Sequence, residues 1–284
     1  MALTLRDYQH DAVDGVRAAF GAGHRRTAVV MPTGTGKTAV AGEMARRTAE
    51  RGGHTLFVTN REELVDQAAR PFVDGFGLST SIEMADRRGS VRDQVVVATI
   101  QSLQGARLER WPRAHPSLVV VDECHHAVAP SYLSLMEHFT GRVVGFTATP
   151  DRADDVGLGE VFGAIAYRME MLDAIQGGWL VPVRSVRVKV AGLDLSRVKT
   201  RGRKTADFQD EALAKALRVE GVLQAMATPI VEQSGNRSTI VFCANVAHAH
   251  DMAAMINRHG AGMAVALDGS MDGDTRRDII SRFR

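Results

Sequence analysis

Five short runs of apolar, largely β-branched residues recur along the first half of the chain, each followed by a longer stretch of helical periodicity. The runs are Thr27–Met31, Thr55–Thr59, Gln94–Ala98, Leu118–Val121 and Val143–Thr147. Most are nearly continuous in hydrophobicity, the pattern of strands covered on both faces and hence of a parallel sheet. Between the first two, Lys37–Arg51 places Val40, Met44 and Ala45 on one helical face. Glu62–Ala69 reads as another helix, with Thr59–Asn60 before it as a cap. Strand alternating with helix in this order predicts an α/β fold, a parallel sheet with helices on both faces.

The texture changes after Pro150. Asp151–Gly163 is polar and rich in glycine, and Val183–Val190 alternates as a strand would. Gly192–Asp207 then carries Arg197, Lys199, Arg201, Arg203 and Lys204 in a stretch poor in apolar residues. That stretch reads as a solvated linker, or else as a basic loop lying along a polyanion. A second α/β pattern follows: helix Glu211–Gln233, strand Thr239–Cys243, helix Val246–His259, strand Met263–Leu267 and helix Thr275–Phe283. We therefore expect a first domain over 1–183, a linker over 184–215 and the beginning of a second α/β domain over 216–284.

Chemistry enters at Met31-Pro-Thr-Gly-Thr-Gly-Lys-Thr38, which leaves a predicted strand and opens a predicted helix. Gly34 and Gly36 let the backbone wrap closely, so that the amides of Thr33–Thr38 can point at phosphate oxygens. The helix N-terminus adds favourable potential for an anion. Lys37 reaches β- and γ-phosphates, and the Thr38 hydroxyl suits Mg²⁺. The usual pattern begins with glycine, whereas Met31 stands there in this chain.

A second run, Leu118-Val-Val-Val-Asp-Glu-Cys-His-His126, ends an apolar strand in two carboxylates. Asp122 there would hold Mg²⁺, and Glu123 would orient an attacking water. ATP hydrolysis requires both roles. Cys124, His125 and His126 do not make a zinc site, because three consecutive residues cannot converge on one tetrahedral ion.

Composition narrows the setting. Among 284 residues, 45% are hydrophobic and 24% charged, with a formal charge of +2, so a disordered or polybasic tail protein is excluded. No apolar run approaches the ~20 residues of a membrane helix, and the charged N-terminus is unlike a signal peptide. Two cysteines cannot build a disulfide framework, which points to an intracellular, cytoplasmic protein.

Taken in order, Gly34–Thr38, Asp122-Glu-Cys-His125 and Thr147-Ala-Thr-Pro150 resemble motifs I, II and III of superfamily 2 helicases and translocases. The DECH variant and Leu5-Arg-Asp-Tyr-Gln9 are similar to the branch containing restriction-enzyme translocation subunits and DNA-repair helicases. The resemblance implies a RecA-like first lobe followed by part of a second. It implies ATP and Mg²⁺ as cofactors and DNA, rather than RNA, as partner. Arg6 and Gln9 match the element that recognises adenine. Asn60, Arg61, Thr99, Gln101 and Ser102 match residues that touch the nucleic-acid backbone. His125, Thr147 and Thr149 match those that couple the nucleotide state to strand binding.

In the second half, Ile240–Asn245 and Leu267–Ser270 resemble later motifs of the same family. The sequence holds no Gln-x-x-Gly-Arg-x-x-Arg stretch, where the family carries an arginine that reaches the γ-phosphate. Such an arginine contributes about 10³–10⁵ in rate. The resemblance thus implies ATP binding, with turnover that is weak unless a second chain supplies that missing stretch. The alternative is a nucleotide-sensing DNA-binding fragment without independent turnover.

Overall fold

The computed structural model describes residues 3–283, except 61, 63, 64, 150–158, 160, 191, 197, 199, 202–206 and 209. Arg61, Pro150 and most of the basic stretch 197–204 therefore lie outside the described residues. The chain forms two compact units, Met1–Val183 and Arg184–Arg284.

The first unit is built on a seven-stranded, all-parallel sheet. Its strands are β1 (Arg26–Val30), β2 (Thr55–Thr59), β3 (Thr80–Glu83), β4 (Val95–Thr99), β5 (Leu118–Val121), β6 (Arg142–Thr147) and β7 (Ile165–Arg168). They lie in the order β3-β4-β2-β5-β6-β1-β7. The α/β parallel fold read from the sequence is the fold observed, and the five predicted strands are its five inner ones.

Both faces of that sheet are covered, which explains the unbroken hydrophobic runs. Phe57, Val95, Val97, Leu118, Val120, Val144 and Phe146 point into one core. Leu56, Val58, Val96, Ala98, Val119, Val121 and Val143 point into the other. Adjacent residues thus alternate between two apolar cores instead of between core and water. The first core is closed by α1 (Asp7–Gly21), α2 (Lys37–Ala49) and α3 (Val65–Arg70). The second takes Leu108 of α4 (Ala106–Glu109) and Tyr132, Leu135 and Met136 of α5 (Pro130–His138). A short helix α6 (Met171–Gln176) follows β7.

Two strands were not expected. Thr80-Ser-Ile-Glu83 and Ile165-Ala-Tyr-Arg168 are the sheet's edges, where one side of the ladder lacks a neighbour and polar residues are tolerated. Of the helix expected over Glu62–Ala69, the described part is the helix Val65–Arg70, and residues 63 and 64 lie outside the described residues.

In the second unit, helices α7 (Asp210–Leu217), α8 (Glu220–Ser234), α9 (Val246–Asn257) and α10 (Gly273–Phe283) are present. The single helix expected over Glu211–Gln233 is broken by Val219, whose extended backbone (ψ 129°) caps α8. Leu223 and Ala227 of α8 meet Met252, Met255 and Ile256 of α9 in a small core. A pair of two-residue strands, β8 (Thr200–Arg201) and β9 (Asp207–Phe208), crosses the stretch read as a linker.

The strands expected over Val183–Val190, Thr239–Cys243 and Met263–Leu267 are corrected by the structure. None of the three is a strand. Phe242 is 93% exposed, and Ile240 and Val265 are more than half exposed. Their β-branched character suits a pleated surface, but it does not pair backbone groups. Among the described residues no neighbouring strand offers those pairs.

Candidate nucleotide site

Parallel register brings the carboxyl ends of five strands to one edge of the sheet. Val30 of β1 is level with Thr147 of β6, Gly145 of β6 with Val121 of β5, Val121 with Val58 of β2, and Thr59 with Thr99 of β4. The loop Met31–Thr38, the Asp122–His126 turn, Thr147–Thr149, Asn60 and Gln101–Ser102 therefore emerge side by side. At about 4.8 Å per strand, β1 and β4 are roughly 19 Å apart.

The loop after β1 has the backbone its glycines require. Gly34 and Gly36 sit at φ +88° and +83°, in the left-handed region, and Gly36 caps α2. Thr33 and Gly34 are exposed, and Gly36, Lys37 and Thr38 half-buried. The Thr35 side chain faces inward, its hydroxyl donating to the Pro32 carbonyl at 2.6 Å. Lys37 Nζ donates to the Met31 carbonyl at 3.3 Å, so its ammonium lies folded across the mouth of the loop.

Residues of α1 hold the loop from outside. Gln9 is buried; its Nε2 donates to the Thr35 carbonyl at 2.9 Å, and its Oε1 accepts from the Arg6 amide at 2.9 Å. One donor and one acceptor of that amide remain for another ligand. Tyr8 was not singled out from the sequence, yet its hydroxyl donates to the same Thr35 carbonyl at 2.8 Å. Trp179 was also missed. Its ring lies 5.0 Å from that of Tyr8, and the exposed Arg6 guanidinium sits 5.3 Å from its centroid.

The acidic turn is shaped by one strained residue. Glu123 adopts φ +48°, ψ +52°, a conformation a non-glycine residue takes only when its surroundings impose it. The kink leaves Asp122 at the strand end and swings Glu123 Oε2 to 3.3 Å from His125 Nδ1. The same nitrogen lies 3.2 Å from Thr147 Oγ1, which accepts in turn from the Thr149 amide at 3.2 Å. A polar path thus runs from Glu123 through His125 to the end of β6. Gly145 makes it fit: a Cβ there would stand 2.6 Å from Cys124 Cβ.

Burial pushes the Cys124 thiol up, with the charges of Glu123 and Asp122 adding to the effect, so it stays protonated. Burial likewise pushes the Tyr132 phenol up to about 12, with Asp122 contributing next. The Asp122 carboxylate is therefore close to both. Tyr132 Oη is buried without a hydrogen-bond partner among the described residues.

The residues matched to a nucleic-acid track are less uniform. Gln101 is exposed and its amide donates to the Asn60 carbonyl at 3.2 Å. Thr99 is fully buried, with its hydroxyl 2.8 Å from Ser102 Oγ. Arg61 lies outside the described residues.

The arrangement fits a magnesium nucleotide. The glycine loop leaves room along its backbone that Cβ atoms would reduce, and a Cβ on Gly36 would stand 2.4 Å from Gln9 Nε2. Mg²⁺ favours a carboxylate or two together with phosphate oxygens over an all-protein cage. Among the described residues no group of three or more His, Cys, Asp or Glu able to hold a metal occurs. Among the described residues no helix is long and apolar enough to cross a membrane.

A family model described as "Type III restriction enzyme, res subunit" matches residues 2–152. The chain is 32% identical over its whole length to irc3 of Schizosaccharomyces pombe, named as a mitochondrial ATP-dependent helicase, and spans 48% of that protein. Among solved structures, a fragment of an HsdR subunit of a type I restriction enzyme from Vibrio vulnificus superposes with TM-score 0.73. The match is 24% identical and covers 98% of this chain and 51% of that one. The type ISP restriction-modification enzyme LlaGI, in complex with a DNA substrate mimic, gives TM-score 0.51 at 15% identity, covering 99% of this chain and 33% of that one. These two structures share the fold. The chain spans about half the length of the curated relatives it matches.

Proposed function

The chain belongs to the family described as type III restriction enzyme, res subunit, and on that premise we propose that its first unit binds ATP with Mg²⁺ and couples hydrolysis to movement along DNA. The observation that carries this reading is the convergence of the glycine loop, the Asp122–Glu123 turn and Thr147 on three adjacent strand ends. Backbone amides of Thr33–Thr38 cradle the phosphates, and the start of α2 supplies positive potential. Lys37 swings from the Met31 carbonyl to the β- and γ-phosphates, where developing charge is stabilised.

Thr38 and Asp122 would hold Mg²⁺, which when bound neutralises charge on the phosphate oxygens. Glu123 orients and polarises the water that attacks. Arg6 and Gln9 take the adenine, the latter through the donor and acceptor its loop contacts leave free. Asn60, Gln101 and Ser102, with Arg61 and Thr99, engage the sugar–phosphate backbone without reading bases. The path Glu123–His125–Thr147–Thr149 lets occupancy of one end of this edge alter the other. The LlaGI relative holds a DNA substrate mimic, and DNA is the polymer we assign.

Residues 1–183 form the ATPase lobe in this reading, and 216–284 the start of a second lobe after a linker over 184–215. In this reading a second chain supplies the γ-phosphate arginine that the sequence lacks. The test is ATP turnover by the purified chain with and without single-stranded DNA, duplex DNA and RNA. Stimulation by DNA supports the reading; turnover indifferent to every polynucleotide would sink it.

A further inference from the structure

Trp179 is an exposed indole carried by a tight turn beside the phosphate loop. The chain leaves α6 through Gly177 and Gly178, the latter at φ +73°. The amides of Trp179 and Leu180 both donate to the Ala174 carbonyl, at 2.9 and 3.0 Å, which closes the turn. A Cβ on Gly177 would stand 2.8 Å from the indole, so only glycine leaves the ring its place. Leu180 leans on the loop itself, since a Cβ on Gly34 would stand 3.3 Å from its Cδ2.

The indole is not buried for its apolar surface: 38% of the residue remains exposed. What it touches is Tyr8 at 5.0 Å and Arg6 at 5.3 Å. Arg6 Nη1 also donates to Tyr8 Oη at 3.4 Å, and Tyr8 is anchored to Thr35. An arginine otherwise free to wander over solvent is thereby held over an aromatic ring, on the same helix end whose backbone amide donates to Gln9 Oε1. The two rings are tilted by 54°, so they do not form one flat face, but guanidinium and aromatic groups each offer a face on which a heteroaromatic ring can stack.

We infer that Trp179 is a positioning residue for nucleobase recognition, fixing Arg6 and Tyr8 as the wall against which the adenine of the bound nucleotide stacks. This rests on the proposed nucleotide site and adds to it a residue from the far end of the unit. The phosphate cradle and the base wall are then separate pieces: Lys37 and the loop amides hold the phosphates, while Trp179 and Arg6 hold the ring.

The test separates the pieces. The chain has two tryptophans, and Trp111 is buried with its indole N–H unpartnered among the described residues, so Trp111→Phe leaves Trp179 as the single emitter at no cost in hydrogen bonds. In that background, Trp179 emission is expected to change on titration with ADP and to stay constant with inorganic tripolyphosphate. By calorimetry, Trp179→Ala should weaken ADP about tenfold while tripolyphosphate affinity holds within twofold, and Trp179→Phe should restore most of the loss. Wild-type ADP affinity in Trp179→Ala would overturn the inference. So would equal weakening of ADP and tripolyphosphate, because a merely structural tryptophan shapes the loop for both. If the unaltered chain bound neither ligand, the nucleotide site itself would fall, and this inference with it.

Discussion

His125 Nδ1 stands 3.2 Å from Thr147 Oγ1, joining the turn after β5 to the end of β6 by a single side chain. The same nitrogen is 3.3 Å from Glu123 Oε2. One imidazole therefore faces both the carboxylate assigned to orient water and the strand end that leads to Thr149. That placement is the basis for the relay we propose between nucleotide and polynucleotide.

Replacing the relay should separate the two activities. His125→Ala is expected to keep ATP affinity within about threefold while the ratio of DNA-stimulated to basal turnover falls about tenfold, a typical coupling between sites. Steady-state ATPase assays at saturating DNA measure it. A ratio equal to that of the unaltered chain would show that coupling runs elsewhere.

Glu123→Gln retains the shape of the turn but removes the proposed base. Turnover should drop by about 10²–10⁴ with nucleotide binding intact. Hydrolysis at the original rate would move the base to another residue.

Gly36 is constrained twice, by φ +83° and by Gln9 Nε2 standing 2.4 Å from where a Cβ would be. Gly36→Ala should cost about 1–2 kcal/mol of stability from the left-handed backbone alone, and should displace Gln9 from the loop. Urea unfolding gives the first effect and ADP affinity the second. An alanine variant equal to the parent in both would contradict the cradle geometry.

A pH effect is expected from Glu43 in α2. Its largely buried carboxylate accepts from Arg46 Nε and Nη2 at 2.8 and 2.7 Å and from Arg47 Nε at 2.8 Å. The Arg46 hydrogen bonds hold its pKa below the usual 4.5, outweighing the burial that opposes them. A pKa lower in the folded state means stability that is present above about 4.5 and lost as pH falls through the lowered value. Glu43→Gln should therefore lower the urea midpoint at pH 7, with the gap to the parent narrowing below pH ~4.5. A gap constant through the acid range would show that the carboxylate's charge contributes nothing.

What could be read in the sequence follows from physics that acts locally. Val119 and Val120 face opposite cores, so the run around them is hydrophobic throughout and announces a central strand. Ile165 and Glu83 sit on edge strands, one half exposed and the other buried against Arg88, Arg107 and Arg110, and no local pattern marks either as a strand. Ile240 and Phe242 mislead in the opposite direction, having strand-like side chains without a ladder to join. Within the site, Gly34, Gly36 and Lys37 are legible because a phosphate loop fixes their spacing. Tyr8 hid beside Gln9 as an ordinary helix residue. Trp179 hid because more than a hundred residues separate it from the loop it flanks, and its partnership with Arg6 exists only after folding.

In the proposed site the loop opening α2 holds the phosphates of ATP through Lys37. Calorimetric titration of Mg²⁺ and ATP into the unaltered chain and into Lys37→Ala tests it most directly. Binding by the first, weakened about 100-fold or more in the second, is the result expected. Equal affinity in the two proteins would show that Lys37 does not hold the phosphates.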